Sequence, residues 1–261
     1  FKQKTAYEIG SGLGGLGDVY KDSPRRQAPE ESRPTRDILH VSGLLLNRDT
    51  LDVLVAHFPS RSGGARESEP YRLLAARKVK HAIDSLYTIR RHPQIVLLGD
   101  FNDYPENKSV KEVLEAAAPS TLQDSLRPQK LYHLLAGKAK TRKHFGSYKY
   151  QGEWGLLDHI IVSGTLLQEH APLYTEEAKT DVFCLPFLLT RDKKYGGQQP
   201  FRTYYGMKYQ GGYSDHLPVY AEFRLNISRN TDTVSSQTSV PSLEVVEDVG
   251  LNALVLFPYL V

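Results

Sequence analysis

The stretch Ile95-Val96-Leu97-Leu98-Gly99-Asp100-Phe101-Asn102-Asp103 decides the reading of this chain. Four aliphatic residues follow Pro93, the pattern of a buried strand. Gly99 ends the run, and Asp100, Asn102 and Asp103 crowd its mouth. Carboxylates at such a place need water, a cation or hydrogen-bond donors to offset their desolvation. A turn capped by Asp and Asn accounts for the same residues. What separates the two readings is whether other strand ends carry matching chemistry.

Upstream, residues 38–41 and 44–46 read as one strand broken near Gly43, and residues 51–56 as its hairpin partner, ending at His57-Phe58-Pro59-Ser60-Arg61. Residues 69–91 read as a helix, with Leu73, Leu74, Arg77, Val79, Ile83 and Leu86 in an approximate 3.6-residue stripe. Downstream, residues 109–117 read as a short helix, 131–136 as a weak helical patch and 147–150 as a strand. Asp158 leads into a second buried strand, Ile160-Ile161-Val162. Residues 189–212 form a long irregular segment rich in Lys, Arg and Tyr, the kind of loop that tends to be functional. Ser214-Asp215-His216-Leu217-Pro218 then opens a final alternating strand over 219–225.

Each polar motif has a plain structural explanation on its own. His57 fits a hydrogen-bonded core histidine, Asp158 a turn carboxylate, and Asp215-His216 a strand cap. Together they put His57, Asp100, Asn102, Asp158, Asp215 and His216 at the ends of different strands, where they can converge on one rim. That set suffices for a hydrolytic site around a hard cation.

Composition sets limits. The 261 residues are enough for one large domain with a sizeable core. A net charge of +3 does not by itself imply nucleic acid. The single cysteine, Cys184, excludes an internal disulfide, which suits a cytoplasmic or an exported bacterial protein, so localisation stays open. No apolar run reaches the roughly 18 residues of a membrane helix. Gly10-Ser11-Gly12-Leu13-Gly14-Gly15 matches the dinucleotide fingerprint formally, but it lacks the strand before and the helix after that the motif requires. Residues 1–23 instead resemble the translation of a sequencing-library adapter and are set aside from fold reasoning. The expected organisation is a partial domain over 24–227, followed by a polar linker and apolar tail over 228–261.

The strings Ala56-His57-Phe58-Pro59-Ser60-Arg61, Gly99-Asp100-Phe101-Asn102-Asp103, Leu157-Asp158-His159-Ile160 and Ser214-Asp215-His216-Leu217-Pro218 resemble the endonuclease/exonuclease/phosphatase superfamily, in a branch of Bacteroidetes type. The resemblance covers about residues 33–226. It implies an α/β fold, a four-layer α/β/β/α sandwich of two mixed β-sheets, here incomplete at the N-terminus. It implies hydrolysis of phosphodiesters or phosphomonoesters with Mg²⁺ or Mn²⁺. His216 would act at the attacking water, and Asp158 would orient its ring. Asp215 would help hold the metal, Asp100 and Asn102 would contact the scissile phosphate, and His57 would bind phosphate or protonate the leaving group. Arg61 would contact phosphate. Tyr195 and Arg202, in the basic aromatic segment, are candidates for holding a nucleic acid, a nucleotide, or a lipid or inositol phosphate; packed, solvated tyrosines would look the same. The resemblance also calls for an Asn and a metal-binding Glu well upstream of His57, and residues 1–32 supply no such pair. A monomeric, nearly inactive fragment is therefore expected, and a polyanion-binding scaffold without catalysis is the alternative.

Overall fold

The aliphatic run before Asp100 forms a strand buried over its whole length, Gln94–Asp100, and two further layers cover its faces. The computed structural model describes residues 19–22, 36–45, 49–119 and 126–226. In chain order the elements are β1 (Val19–Asp22), β2 (Ile38–Leu44), β3 (Thr50–Val55), α1 (Ala65–Ile89), β4 (Gln94–Asp100), β5 (Leu131–His133), α2 (Ala136–Thr141), β6 (Tyr148–Tyr150), β7 (Glu153–Gly155), β8 (Asp158–Ser163), β9 (Leu173–Tyr174) and β10 (Thr180–Val182). Then come β11 (Leu189–Arg191), β12 (Gln198–Pro200), β13 (Tyr204–Tyr205), β14 (Lys208–Tyr209), β15 (Val219–Ala221) and β16 (Arg224–Leu225).

The central sheet is mixed, in the order β1-β2-β3-β4-β8-β5. Only β3 and β4 pair in parallel, and α1 is the crossover that a parallel pair demands. Side chains alternate across the sheet. Leu54, Ile95, Leu97 and Ile161 meet Ala76, Val79, Ile83 and Leu86 of α1. Val96, Leu98, Ile160 and Val162 face the other way, onto Leu173, Val219, Ala221 and Phe223. That second layer consists of two short antiparallel ladders, β10 with β15 and β9 with β16. α2 leans on it, with Arg142 3.0 Å from Asp181. The chain is thus a mixed α/β protein built on a central mixed sheet with few helices, as the sandwich expectation requires. Among the described residues no helix is long and apolar enough to cross a membrane.

Several local expectations are corrected. The α1 stripe that packs inward is Ser68, Arg72, Ala76, Val79, Ile83 and Leu86, while Arg77 is exposed. Arg72 is buried because its Nε lies 2.7 Å from the equally buried Asp103, an ion pair that hydropathy patterning hides. Ser109–Val113 is a π-helical turn rather than the start of an α-helix. Of the patch at 131–136, Leu131–His133 is the edge strand β5, because pairing with β8 overrides its local helical bias, and Ala136 opens α2. The segment 189–212 holds two hairpins, β11–β12 and β13–β14. The strand expected over 219–225 is split into β15 and β16. Four of the residues set aside at the start, Val19–Asp22, pair as an edge strand with β2. The fingerprint-like glycines and the 228–261 tail lie outside the described residues.

Candidate active site

The parallel ladder between β3 and β4 runs on beyond β3. Ala56 N–H donates to Leu98 O at 3.0 Å and Phe58 N–H to Asp100 O at 2.9 Å, which carries His57 alongside Asp100. This close approach dictates Gly99. Its φ is 139°, and a Cβ there would sit 1.9 Å from the Ala56 carbonyl oxygen. Across the sheet, β4 and β8 pair with Gly99 opposite His159 and Asp100 opposite Asp158. Like charges directly opposite in a ladder are destabilising, so this register costs stability in the absence of a cation. Asn102 follows with φ 50°, a left-handed position that Asn tolerates. Its backbone N–H donates to Asp100 Oδ1 (2.8 Å), and its Nδ2 donates to Phe58 O (3.1 Å) and Asp100 Oδ2 (3.2 Å).

His216 arrives from the strand-opening turn before β15. Leu217 N–H donates to Ser147 O at 2.7 Å, and the His216 ring lies 4.8 Å from that of Tyr148. Its Nδ1–H donates to Asp158 Oδ2 at 2.6 Å, which fixes the tautomer and leaves Nε2 for the cleft. One ligand atom each from Asp100, Asp158 and His216 lie within 4.8 Å of one another. His57 Nε2 stands 3.4 Å from Asp100 Oδ2.

The charges follow from that crowding. Burial and the neighbouring Asp158 push Asp100 up to about 6, against the pull of His216 and the Asn102 N–H. Burial alone would lower His216, but the hydrogen bond to Asp158 and the charges of Asp158, Asp100 and Asp215 outweigh it and hold the imidazolium up at about 9. Burial, with the charges of Arg36 and His216, pulls His57 down to about 4, so it stands neutral at pH 7.

A second shell of contacts, invisible in the sequence, holds these groups. Leu135 N–H donates to His133 Nδ1 (3.1 Å), so His133 Nε2–H donates to His159 Nδ1 (2.5 Å), and His159 Nε2–H donates to the Asp103 carbonyl (2.9 Å). Both imidazoles are fully buried and lowered chiefly by that burial, which keeps the relay neutral. Phe58, Phe101 and His159 stack at 4.3 and 4.7 Å. Asp103 also accepts from Ser109 Oγ at 2.7 Å, so the turn after β4 is anchored from three sides.

A cleft of about 1000 Å³ takes in every expected site residue except Tyr195. Tyr195 sits instead in the β11–β12 turn, against Gly152. Arg61 lines the cleft, but its Nε donates to Asn102 O (2.6 Å) and its Nη2 to Asn107 Oδ1 (3.0 Å), so most of its fork fastens the turn after β4. Asp215 is exposed on the cleft wall and stands outside the Asp100–Asp158–His216 group. Tyr104, Tyr148, Tyr204 and Tyr213 also line the cleft, which composition could not have told apart from Tyr195. Tyr148 carried a signal as part of the strand expected over 147–150, and Tyr204 as part of the segment 189–212.

The sequence model of the Endonuclease/Exonuclease/phosphatase family matches residues 19–225. No curated protein matches the chain. Among solved structures, the mannosyl-6-phosphatase Bt3783 of Bacteroides thetaiotaomicron VPI-5482 is 14% identical, with 80% of this chain and 65% of that one covered and a TM-score of 0.46. The human Nocturnin catalytic domain with bound sulfate is 13% identical, with 80% and 59% covered and a TM-score of 0.44. D. rerio TDP2 with a single-strand DNA product is 11% identical, with 79% and 67% covered and a TM-score of 0.45. The chain spans less than two thirds of the first two of these proteins.

Proposed function

The chain belongs to the Endonuclease/Exonuclease/phosphatase family, and on that premise we propose that its cleft hydrolyses a phosphate ester with a divalent cation, Mg²⁺ or Mn²⁺. The observation that carries this reading is the 2.6 Å bond from His216 Nδ1 to Asp158 beside the buried Asp100. Mg²⁺ prefers oxygen ligands and keeps several waters, so Asp100 would hold it, with Asp215 within the same cleft. When bound, such a cation supplies charge neutralisation at a phosphoryl oxygen and makes water easier to deprotonate. Without a cation, Asp158 holds His216 as an imidazolium at about 9. With a cation beside it at Asp100 that value would fall, freeing Nε2 to take the proton of the attacking water, with Asp158 stabilising the charge that returns. Asn102, fixed by Phe58 O and Asp100, positions the phosphate. Neutral His57 and the Arg202 guanidinium donate hydrogen bonds to its oxygens.

Asp158 is committed to His216 and Asp215 is exposed, so Asp100 is the buried carboxylate left for the ion. We therefore expect this chain to hold Mg²⁺ weakly and to turn over slowly. The same sparse ligand set favours the second reading, a polyanion-binding protein without catalysis. Hydrolysis of bis(p-nitrophenyl) phosphate in excess Mg²⁺ separates them. The enzyme reading expects turnover that chelation abolishes and that His216→Ala lowers by about 10²–10⁴-fold. Turnover indifferent to both would contradict it, and binding of a polyanion with no turnover would favour the scaffold.

A further inference from the structure

At the other end of β4 lies a second concavity of about 670 Å³, within the size range of small-molecule sites. Pro93 touches it, whereas Asp100 lines the cleft; at about 3.3 Å per strand residue the two lie roughly 20 Å apart. Its walls come from the end of α1, the residues after the π-helical turn, and the segment leading into β5. Four cationic side chains, Lys80, Arg91, Arg127 and Lys130, face one carboxylate, Glu115.

Lys80 is neutralised by Asp84 at 2.6 Å. Among the described residues no ion pair engages Arg91, Arg127 or Lys130. Cations gathered without counter-charge repel one another, and an anion relieves that repulsion. The wall also holds an unused donor. The Tyr87 hydroxyl is buried and meets no hydrogen-bond partner among the described residues. Burial, with Asp84 and Tyr132 nearby, keeps it protonated. A buried donor left unpaired is costly, and a ligand oxygen would satisfy it. His92, exposed, and the half-buried Tyr87 put two aromatic rings in the lining, which suits a ring rather than a bare ion, and Gln129, Thr165 and Gln168 complete the wall.

We propose that this cavity binds an organic phosphate of nucleotide size, with its phosphate on Arg91, Arg127 and Lys130 and its ring against Tyr87 and His92. The guanidinium fork matches phosphate oxygens in pairs. The site stands apart from the catalytic cleft and does not depend on what that cleft hydrolyses.

Calorimetric titration of adenosine monophosphate into the chain, with chelator present, tests it. The double variant Arg127→Ala/Lys130→Ala weakens binding at least tenfold, Arg202→Ala in the cleft leaves it unchanged, and inorganic phosphate binds more weakly than the nucleotide. Arg91 is exposed at the end of α1, so Arg91→Glu gives the same loss in a chain whose fold it does not disturb. Unchanged affinity in the double variant and in Arg91→Glu would overturn the proposal. So would loss confined to Arg202→Ala, or inorganic phosphate binding as tightly as the nucleotide.

Discussion

Asp52 and Asp100 sit on neighbouring strands of one sheet, both buried, and their surroundings drive them in opposite directions. Burial raises Asp52, but hydrogen bonds with His40, Arg90 and Ser42 outweigh it and bring it down to about 2. Arg90 grips both its oxygens, Nε to Oδ2 at 2.8 Å and Nη2 to Oδ1 at 2.9 Å. Among the described residues no arginine grips Asp100; burial and Asp158 across the ladder outweigh the pull of His216, so it rises to about 6. The first is a closed network that pins the end of α1 to the sheet. The second is left short of positive charge, in the way a cation site is before it is filled.

Breaking the closed network has the largest expected effect on stability. Asp52→Ala strips the hydrogen-bond partner from His40, Ser42 and the part-exposed Arg90, and losing such charge-assisted bonds costs about 2–3 kcal/mol. Denaturant unfolding checks this, and a loss below ~1 kcal/mol would mean that the network is ornamental.

Acid gives the next effect. The folded pKa of Asp52 lies below its unfolded value near 3.8. Its contribution is therefore fully present above that value and is lost as pH falls through it toward about 2. That loss is worth about 2 kcal/mol. Acid melts of wild type and Asp52→Asn should converge across this window and differ above it.

Asp100 has the opposite sign, and the hydrogen bonds it accepts from Asn102 leave a smaller net effect on substitution. Its folded pKa is raised, so the native state holds the proton more tightly, and stability falls as pH rises from the ordinary 3.8 to about 6. Asp100→Asn removes that cost and should stabilise the metal-free chain by about 1–2 kcal/mol at pH 7.5, while turnover falls. Destabilisation by the same change would erase the distinction between the two carboxylates.

What the sequence made legible follows from the same distinction. Asp100, His57 and Asp158 interrupt or border aliphatic runs, so each stands out as a polar residue at a strand end. Their convergence needed only the rule that strands of one sheet share a rim. Asp103 lay within the decisive stretch, yet its work is structural, and its partner Arg72 occupies a helix position that hydropathy assigns to solvent. The His133–His159 relay depends on β5 pairing with β8, residues 26 apart in sequence, and no local pattern encodes that register. Tyr195 and Tyr148 are alike in composition, but β6 brings Tyr148 against His216 and a hairpin turn keeps Tyr195 away.

Paramagnetic broadening by Mn²⁺ tests the central claim most directly. The account predicts that Mn²⁺ broadens the NMR signals of His216 and of the residues around Asp100 and Asp158, that excess Mg²⁺ reverses this, and that Asp100→Asn abolishes it. Broadening centred elsewhere, or surviving in Asp100→Asn, would contradict the assignment of this carboxylate pair and its histidine as a cation-dependent phosphoesterase centre.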